Sequence, residues 1–225
     1  MQTRKYYEAY DARYRQIHAM QLQWFQKTPT PIVLQTIEAR SLDPTHKMLE
    51  IGCGEGRDAL AVLEKGYDLW ATDISPEAIR YCAERFTQYA RAFGVLDCIG
   101  GLCEEKFDFI YAVAVLHMLV EDGDRKAFYR FIREHLKENG AALICTMGDG
   151  TITCCTDPET AFQCKERVHT PSGKLVQVAS TSCRMVTEET FHRELTEAGL
   201  GILSSGITSA EPDFPWMLYA VVDKK

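Results

Sequence analysis

A glycine-rich stretch between a predicted strand and a predicted helix constrains the fold of this chain more than any other feature. Residues 48–51 are typical of a short buried strand, and Gly52-Cys53-Gly54-Glu55-Gly56 follows them directly. Helix-forming residues resume at Arg57. Glycine lets a chain turn tightly and lets a ligand approach the backbone closely, because no Cβ intervenes. The pattern therefore predicts a strand–turn–helix unit that binds a ligand at its turn.

An acidic residue after the next predicted strand indicates a ligand that carries a ribose. Asp73 ends the strand predicted over 69–73, roughly 20 residues beyond Gly52, where an acid hydrogen-bonds ribose hydroxyls in nucleotide-binding sheets. The dinucleotide fingerprint G-x-G-x-x-G would require glycine at position 57, which is arginine here. Glu50 and Glu55 flank the turn, and carboxylates favour a cationic ligand over a pyrophosphate. An NAD-dependent oxidoreductase remains the first alternative.

Short strands and amphipathic helices alternate as far as residue 147. After an aromatic helix over 4–25, the sequence predicts helices over 32–41, 57–66, 76–90 and 124–137, and strands over 48–51, 69–73, 95–96, 107–116 and 141–146. This alternation predicts a doubly wound, largely parallel sheet. Beyond it come a polar segment with a hairpin near 171–173, a helix over 187–199, and strands near 201–204 and 217–222.

Composition limits the classes of function that the chain can serve. With 225 residues it is long enough for one α/β domain, and its formal charge of −7 argues against a nucleic-acid-binding surface. No apolar run is long enough to span a membrane, and the polar N-terminus lacks the apolar core of a signal peptide. Nine cysteines without C-x-x-C pairs therefore predict reduced thiols, a cytoplasmic location and no metal site.

Four motifs in succession resemble those of class I S-adenosylmethionine-dependent methyltransferases. They are the residues 49–56, 71–75, 107–110 and 136–141. Within that family, Arg57 and residues 66–68 and 115–116 are similar to the tellurite-resistance and small-molecule methyltransferases. The resemblance implies an α/β, Rossmann-like, doubly wound sheet of seven strands, mostly parallel with an antiparallel last strand, and helices on both faces.

The same resemblance implies one methyltransferase domain over residues 1–225. Residues 1–45 would form a helical lid and 46–147 the cofactor-binding core. Residues 148–186 would be an insertion over the acceptor site, and 187–225 would add a helix and strands at the C-terminus.

S-adenosylmethionine is the cofactor that the resemblance implies, with S-adenosylhomocysteine as the product. Glu50 would face the methionine amino group, and the backbone of Gly52 and Gly54 would pass under the cofactor. Asp73 would hold both ribose hydroxyls, and Ile74 would pack on the adenine.

Two further positions complete the cofactor site that the resemblance implies. Asp97 would bind the adenine amino group, and Ala114 would offer its backbone near the methionine moiety. The remaining residues predicted to contact the cofactor are Cys53, Arg57, Cys98 and Tyr14.

Two residues are candidate general bases. His117 follows the fourth strand, and an unperturbed histidine pKa near 6.5 suits proton removal. The alternative is a histidine packed beside Leu116 and Met118. Asp149 is the second candidate, although Gly-Asp-Gly is also a common turn sequence.

Residues on both sides of the core are candidates for the acceptor site. Tyr10 and Tyr14 lie on the aromatic face of the first helix, which either packs or closes over the cofactor. Met147 follows the fifth strand, and Arg184 could bind an acceptor carboxylate bidentately. Arg167 could do the same, but both could instead be surface arginines, and for Arg167 the surface position is the favoured prediction.

Four cysteines cluster in the predicted insertion. They either bind a soft metalloid acceptor, as thiolates can, or are ordinary buried thiols. They are Cys154, Cys155, Cys164 and Cys183.

The predicted reaction is methyl transfer from S-adenosylmethionine to an O, N or S atom of a small molecule. In-line displacement needs mainly alignment, which can supply about 7–11 kcal/mol. The chain lacks the Pro-Pro-Tyr and Pro-Cys motifs of nucleic-acid methylation, so no nucleic-acid or membrane partner is expected, and the protein would be a monomer or homodimer. The second alternative is a non-catalytic binding or scaffold protein on the same fold.

Overall fold

The computed structural model describes residues 4–24 and 28–225, and its N-terminal part is helical. A short 3-10 helix, Tyr6–Glu8, leads into helix α1, Ala9–Ala19, and helix α2 covers Pro31–Ala39. The helix predicted over 4–25 is therefore shorter, because the chain reverses at Gln21, which has a φ of 57°. Residue 25, the last of that predicted helix, lies outside the described residues.

Seven strands form the central sheet. They are β1 Lys47–Ile51, β2 Asp68–Asp73, β3 Phe93–Val95, β4 Phe107–Val113, β5 Leu136–Met147, β10 Leu200–Ala210 and β11 Phe214–Lys224, in the order β10-β11-β5-β4-β1-β2-β3. Strands β1 to β5 pair in parallel, and β11 runs antiparallel between β5 and β10. The predicted doubly wound, mostly parallel sheet with an antiparallel last strand is confirmed.

Helices cover the sheet as the alternation predicts, with shifted ends. They are α3 Arg57–Leu63, α4 Pro76–Arg85, α5 Asp122–His135 and α6 Glu188–Glu197. The helix predicted over 76–90 ends at Arg85, and a 3-10 helix, Thr87–Ala92, follows it. The strand predicted over 107–116 is too long. Ala114 has a φ of 57°, which a strand cannot accommodate, and the chain then forms a 3-10 helix at Leu116–Met118.

The predicted insertion contains two small sheets. Strands β7, Cys164–His169, and β8, Lys174–Ala179, form the hairpin predicted near 171–173, and β6, Cys154–Cys155, pairs with β9, Arg184–Met185. Ile17 of α1 packs on Val176 and Val178 of β8. The N-terminal helix and the hairpin therefore share a small apolar core of their own.

Two apolar clusters hold the layers together, and they contain the buried side chains of the central strands. Since parallel strands end at one edge, the C-terminal ends of β1, β2 and β4 bring Gly52, Asp73 and Ala114 to one side of the sheet. None of the helices in the described part of the chain has the length and apolarity that crossing a bilayer requires.

Candidate functional site

A cavity lies at the C-terminal ends of β1, β2 and β4, with α1 on its outer side. Every residue predicted to contact the cofactor lines it: Tyr14, Glu50, Gly52, Cys53, Gly54, Arg57, Asp73, Ile74, Asp97, Cys98 and Ala114. Tyr10, predicted for the acceptor, lines it too. The structure thus brings these twelve residues around one space, while the role of each stays a prediction.

The glycine turn has a backbone that only glycine adopts easily. Gly52 and Gly54 have φ values of +75° and +53°. A Cβ on Gly52 would lie 2.3 Å from Cγ2 of Val115, and one on Gly54 would lie 2.6 Å from the hydroxyl oxygen of Tyr14. Both conformation and space therefore require glycine, and the turn leaves bare backbone along the cavity.

Asp73 joins the end of β2 to this turn. Its Oδ2 accepts a hydrogen bond from the Gly54 N–H at 2.9 Å, and its Oδ1 accepts one from the Ser75 N–H at 2.8 Å. Burial raises the pKa of Asp73 to about 6, against the lowering effect of these two hydrogen bonds. The carboxylate is thus aligned before any ligand arrives, and it is ionised at neutral pH.

Glu50 is a buried acid at the end of β1, with 2% of its surface exposed. Its carboxylate accepts a hydrogen bond from the Tyr111 hydroxyl at 3.0 Å. Burial, together with the nearby charge of Asp58, raises the pKa of Glu50 well above its usual value. A cationic group in the cavity would offset that cost, as a nearby opposite charge stabilises the ionised form.

The β3 end of the cavity combines apolar walls with one acid. Asp97 accepts hydrogen bonds from the Lys5 ammonium at 3.0 Å and from the Ile99 N–H at 2.9 Å. Ile74, Phe86 and Cys98 also line the cavity and give it apolar surface. A flat aromatic ring with a polar edge fits this arrangement.

His18 fastens α1 to the glycine turn. Its ring nitrogens contact Glu55 at 3.0 Å and Glu77 at 2.7 Å, and its ring stacks on Tyr81 at 4.4 Å. Burial lowers the pKa of His18, but the hydrogen bonds to the two carboxylates outweigh burial, so the net pKa is raised.

We expect the protonated His18 to stabilise the closed position of α1. Because the pKa of His18 is raised by folding, its contribution is complete below about pH 6.5 and is lost as the pH rises through the folded-state pKa. His18→Gln should lower the free energy of unfolding by about 1–2 kcal/mol at pH 6 and by less at pH 9. Thermal denaturation at both values tests this, and an equal loss at both would contradict it.

Four predicted residues do not line the cavity. Arg184 donates to the Val120 carbonyl at 2.8 Å and pairs with Asp122 at 2.6 Å. Asp149 is partly buried and accepts hydrogen bonds from the backbone of Thr151 and Ile152, as a turn residue does. The other two are Met147 and His117.

His117 is buried, with 4% of its surface exposed, and packs against Phe214. Burial and the charges of Arg13 and Arg125 lower its pKa to about 3. The pKa near 6.5 that its general-base role assumes is therefore wrong. Its Nδ1 has no hydrogen-bond partner among the described residues.

The cysteines of the insertion are not buried thiols. Cys154, Cys155 and Cys164 are exposed, and Cys183 is half-buried. Within residues 4–24 and 28–225 no group of three or more His, Cys, Asp or Glu side chains could hold a metal ion.

Several residues that line the cavity are not predicted from the sequence. Met118 ends the 3-10 helix that follows β4 and Leu119 comes directly after it, beyond the strand predicted over 107–116. Phe214 arrives from the hairpin between β10 and β11, far along the chain. No local spacing marks it, because its place depends on how the last two strands pair.

A family model described as a methyltransferase domain matches residues 49–142, which span β1 to the start of β5 and all of the glycine turn. Residues 49–142 are therefore similar to a methyltransferase domain. The cavity described above is built on the strands of this segment and lies where they end.

Curated relatives align with parts of the chain. The chain is 28% identical over 114 residues to hemagglutinin 1 of Eikenella corrodens, and 29% identical over 124 residues to thiocyanate methyltransferase 1 of Brassica oleracea. These segments cover 50% and 53% of the chain, but only 38% and 54% of the two relatives. The chain thus spans about half of the length of these relatives or less.

A solved structure shares the fold over nearly the whole chain. It is the 1,6-didemethyltoxoflavin-N1-methyltransferase of Burkholderia thailandensis, bound to 1,6-didemethyltoxoflavin and S-adenosylhomocysteine. Its TM-score is 0.71 at 16% identity, and the match covers 98% of this chain and 89% of that one. The methyltransferase fold therefore extends beyond residues 49–142 to the N-terminal helix and the last strands.

Proposed function

We propose that the chain is an S-adenosylmethionine-dependent methyltransferase that methylates a small molecule. The observation that carries this proposal is the glycine turn, whose bare backbone lies between two ordered acids, Glu50 and Asp73. The residues fit the cofactor: only glycine suits position 52 of the turn, where a Cβ would lie 2.3 Å from Val115, and a cationic group would stabilise the ionised form of the buried Glu50. The fold neighbour with a bound small molecule supports the acceptor class.

The chain's own residues would bind the cofactor and orient it for methyl transfer. S-adenosylmethionine supplies a methyl group already activated on a sulfonium. Glu50 would hold the amino group, Asp73 the ribose hydroxyls, and Ile74 with Asp97 the adenine. Tyr10 and Tyr14 would exclude water on the α1 side, and their ring faces attract a nearby cation. Alignment, rather than acid–base chemistry, would supply most of the rate enhancement.

We also propose a domain arrangement, a location and an oligomeric state for the chain. The chain acts as one domain, with a lid over 1–45, a core over 46–147 and an insertion over 148–186. It has neither a nucleic-acid nor a membrane partner, works in the cytoplasm, and is a monomer or homodimer. The contacts of α1 with β8 support a lid that moves together with the hairpin.

The experiment that tests the proposal is a transfer assay with S-adenosylmethionine labelled in its methyl group. A panel of small amines, thiols, phenols and carboxylic acids serves as acceptors, and mass spectrometry identifies the products. We expect one class to gain the label at a rate that depends on its concentration. Binding of S-adenosylhomocysteine without any turnover would favour the non-catalytic alternative.

We expect His117 to contribute little as a base. With a pKa of about 3 it is neutral at pH 7 but too weakly basic to take a proton efficiently. His117→Asn should lower kcat less than about tenfold, whereas general-base catalysis typically contributes 10²–10⁴-fold. Steady-state rates from pH 6 to pH 8 test this. A loss of a hundredfold or more at constant cofactor affinity would restore the base role.

A further inference from the structure

Arg13 of α1 is a buried cation for which the described residues offer no carboxylate partner. Only 5% of its surface is exposed. Its guanidinium donates to the carbonyls of Ala179 and Ser180, with shortest distances of 2.9 and 2.6 Å, and to the Thr181 hydroxyl at 2.5 Å. Burial lowers its pKa only to about 10, so Arg13 carries its charge at neutral pH.

A second guanidinium converges on the same point. Arg167 donates to the Ser180 carbonyl at 3.1 Å, so two like charges share one acceptor oxygen. Their repulsion is one of the causes that lower the pKa of Arg13. Like charges brought together without a carboxylate create a positive potential that an anion would relieve.

This cationic pair lies behind one wall of the cavity. The Arg13 guanidinium is 5.1 Å from the centre of the Tyr10 ring, and Tyr10 lines the cavity. The Tyr10 hydroxyl donates to the Ser182 carbonyl at 3.3 Å, and the Ser182 hydroxyl donates to the Met118 carbonyl at 2.6 Å. Residues 179–182 therefore connect the cations to two residues of the cavity wall.

The acids that line the cavity lie around the glycine turn, together with the cations Arg57 and Arg85. Glu50, Glu55, Asp73 and Asp97 lie on the turn or at and just after the ends of β1 to β3, and Asp58 lies in α3, where the cofactor is proposed to bind. Tyr10, Met118 and Phe214 present aromatic and apolar surface to the cavity, and Arg13 lies behind Tyr10. His117, which packs against Phe214, stays neutral because burial and the charges of Arg13 and Arg125 lower its pKa.

From this arrangement we infer that the acceptor is a small apolar molecule that is already anionic, such as an apolar carboxylate or thiolate, held by the charge of Arg13 and Arg167. The inference rests on the proposed function. An anionic nucleophile needs no base, and it would be drawn to the buried Arg13, to the exposed Arg167 and to the sulfonium. Methyl transfer then forms the bond between nucleophile and methyl and breaks the sulfonium–methyl bond, which leaves two neutral products.

The test compares two probes of equal shape, benzoate and benzamide. Each is titrated into protein saturated with S-adenosylhomocysteine, and binding is followed by calorimetry. We expect benzoate to bind at least tenfold more tightly than benzamide. Equal affinities, or no binding of benzoate at millimolar concentration, would overturn the inference. Saturation by S-adenosylhomocysteine is measured first, so a failure of the proposed function is seen separately.

Two variants separate charge from structure. Arg13→Lys keeps the charge and loses the forked hydrogen bonds, whereas Arg13→Gln keeps a donor and loses the charge. We expect the preference for benzoate to persist in the lysine variant and to fall several-fold in the glutamine variant, with benzamide affinity equal in both. Equal loss in both variants would mean that Arg13 acts only as a structural clamp.

A third variant should strengthen benzoate binding instead of weakening it, and the substituted residue does not lie on α1. Glu194 pairs with the buried Arg125 at 2.6 Å, so Glu194→Gln leaves a further positive charge near His117. This change should tighten benzoate binding and leave benzamide unchanged. A weaker affinity for benzoate in a variant that still binds S-adenosylhomocysteine would contradict the inference.

Discussion

Asp73→Ala should weaken the binding of S-adenosylhomocysteine by at least about a hundredfold. A hydrogen bond to a charged group contributes roughly 1.5–3 kcal/mol, and two such bonds to a ribose are lost together. The substitution also removes the acceptor of the Gly54 N–H, which is held at 2.9 Å, so the turn loses its anchor to β2. Calorimetric titration of purified variant and native protein measures the effect.

Asp68→Ala is the matched control for this change. Asp68 opens the same strand, β2, at the end opposite the cavity, and its side chain is exposed. It should leave the affinity for S-adenosylhomocysteine within about twofold of native, as expected for a surface position. Equal weakening by both substitutions would mean that the strand, and not the carboxylate of Asp73, governs binding.

The affinity of the native protein for S-adenosylhomocysteine should also decrease as the pH is lowered, because Asp73 becomes protonated. Burial raises its pKa to about 6, so the carboxylate is mostly ionised at pH 7 and mostly protonated at pH 5. A protonated acid accepts hydrogen bonds from the ribose poorly. In Asp73→Asn this part of the pH dependence should disappear, and its persistence would assign it to another group.

Gly52→Ala should abolish measurable cofactor binding and destabilise the fold. The residue has a φ of +75°, and its Cβ would lie 2.3 Å from Val115 in the segment that follows β4. The left-handed conformation alone costs an alanine about 1–2 kcal/mol. The clash adds to this cost and pushes the turn away from the end of β4. Thermal denaturation and titration with S-adenosylhomocysteine measure the two effects.

Gly66→Ala separates conformation from contact. Gly66 has a φ of +82°, but nothing lies within 4 Å of the position its Cβ would occupy. The Gly66→Ala variant should lose about 1 kcal/mol of its free energy of unfolding and keep its affinity for S-adenosylhomocysteine. If Gly52→Ala behaved in the same way as Gly66→Ala, the close approach at the turn would have no role in binding.

The cofactor end of the site could be predicted from the sequence because its residues sit at strand ends. Asp73 ends a strand of the parallel sheet, and Gly52, Asp97 and Ala114 come just after one; such ends meet at one edge whatever the rest of the chain does. Local spacing is therefore enough to bring them together. The predicted ends of helices and strands are less accurate. At Ala114, for example, a positive φ ends β4 earlier than predicted.

The opposite end of the cavity depends on contacts between distant segments, which spacing does not reveal. Arg184 was expected at the acceptor, but Asp122 and the Val120 carbonyl take its guanidinium. No spacing in the sequence marks Arg13, because it is buried only by its contacts with the β7–β8 hairpin. Phe214 reaches the cavity only through the pairing of β10 with β11.

The central claim is that the cavity binds S-adenosylmethionine and not a dinucleotide. The most direct measurement is the thermal denaturation of the native protein with S-adenosylhomocysteine, with NAD, and with neither. The ligand that binds the folded state raises Tm according to its concentration and affinity. We predict that S-adenosylhomocysteine raises Tm in a concentration-dependent way and that NAD does not. A rise with NAD and none with S-adenosylhomocysteine would contradict the claim.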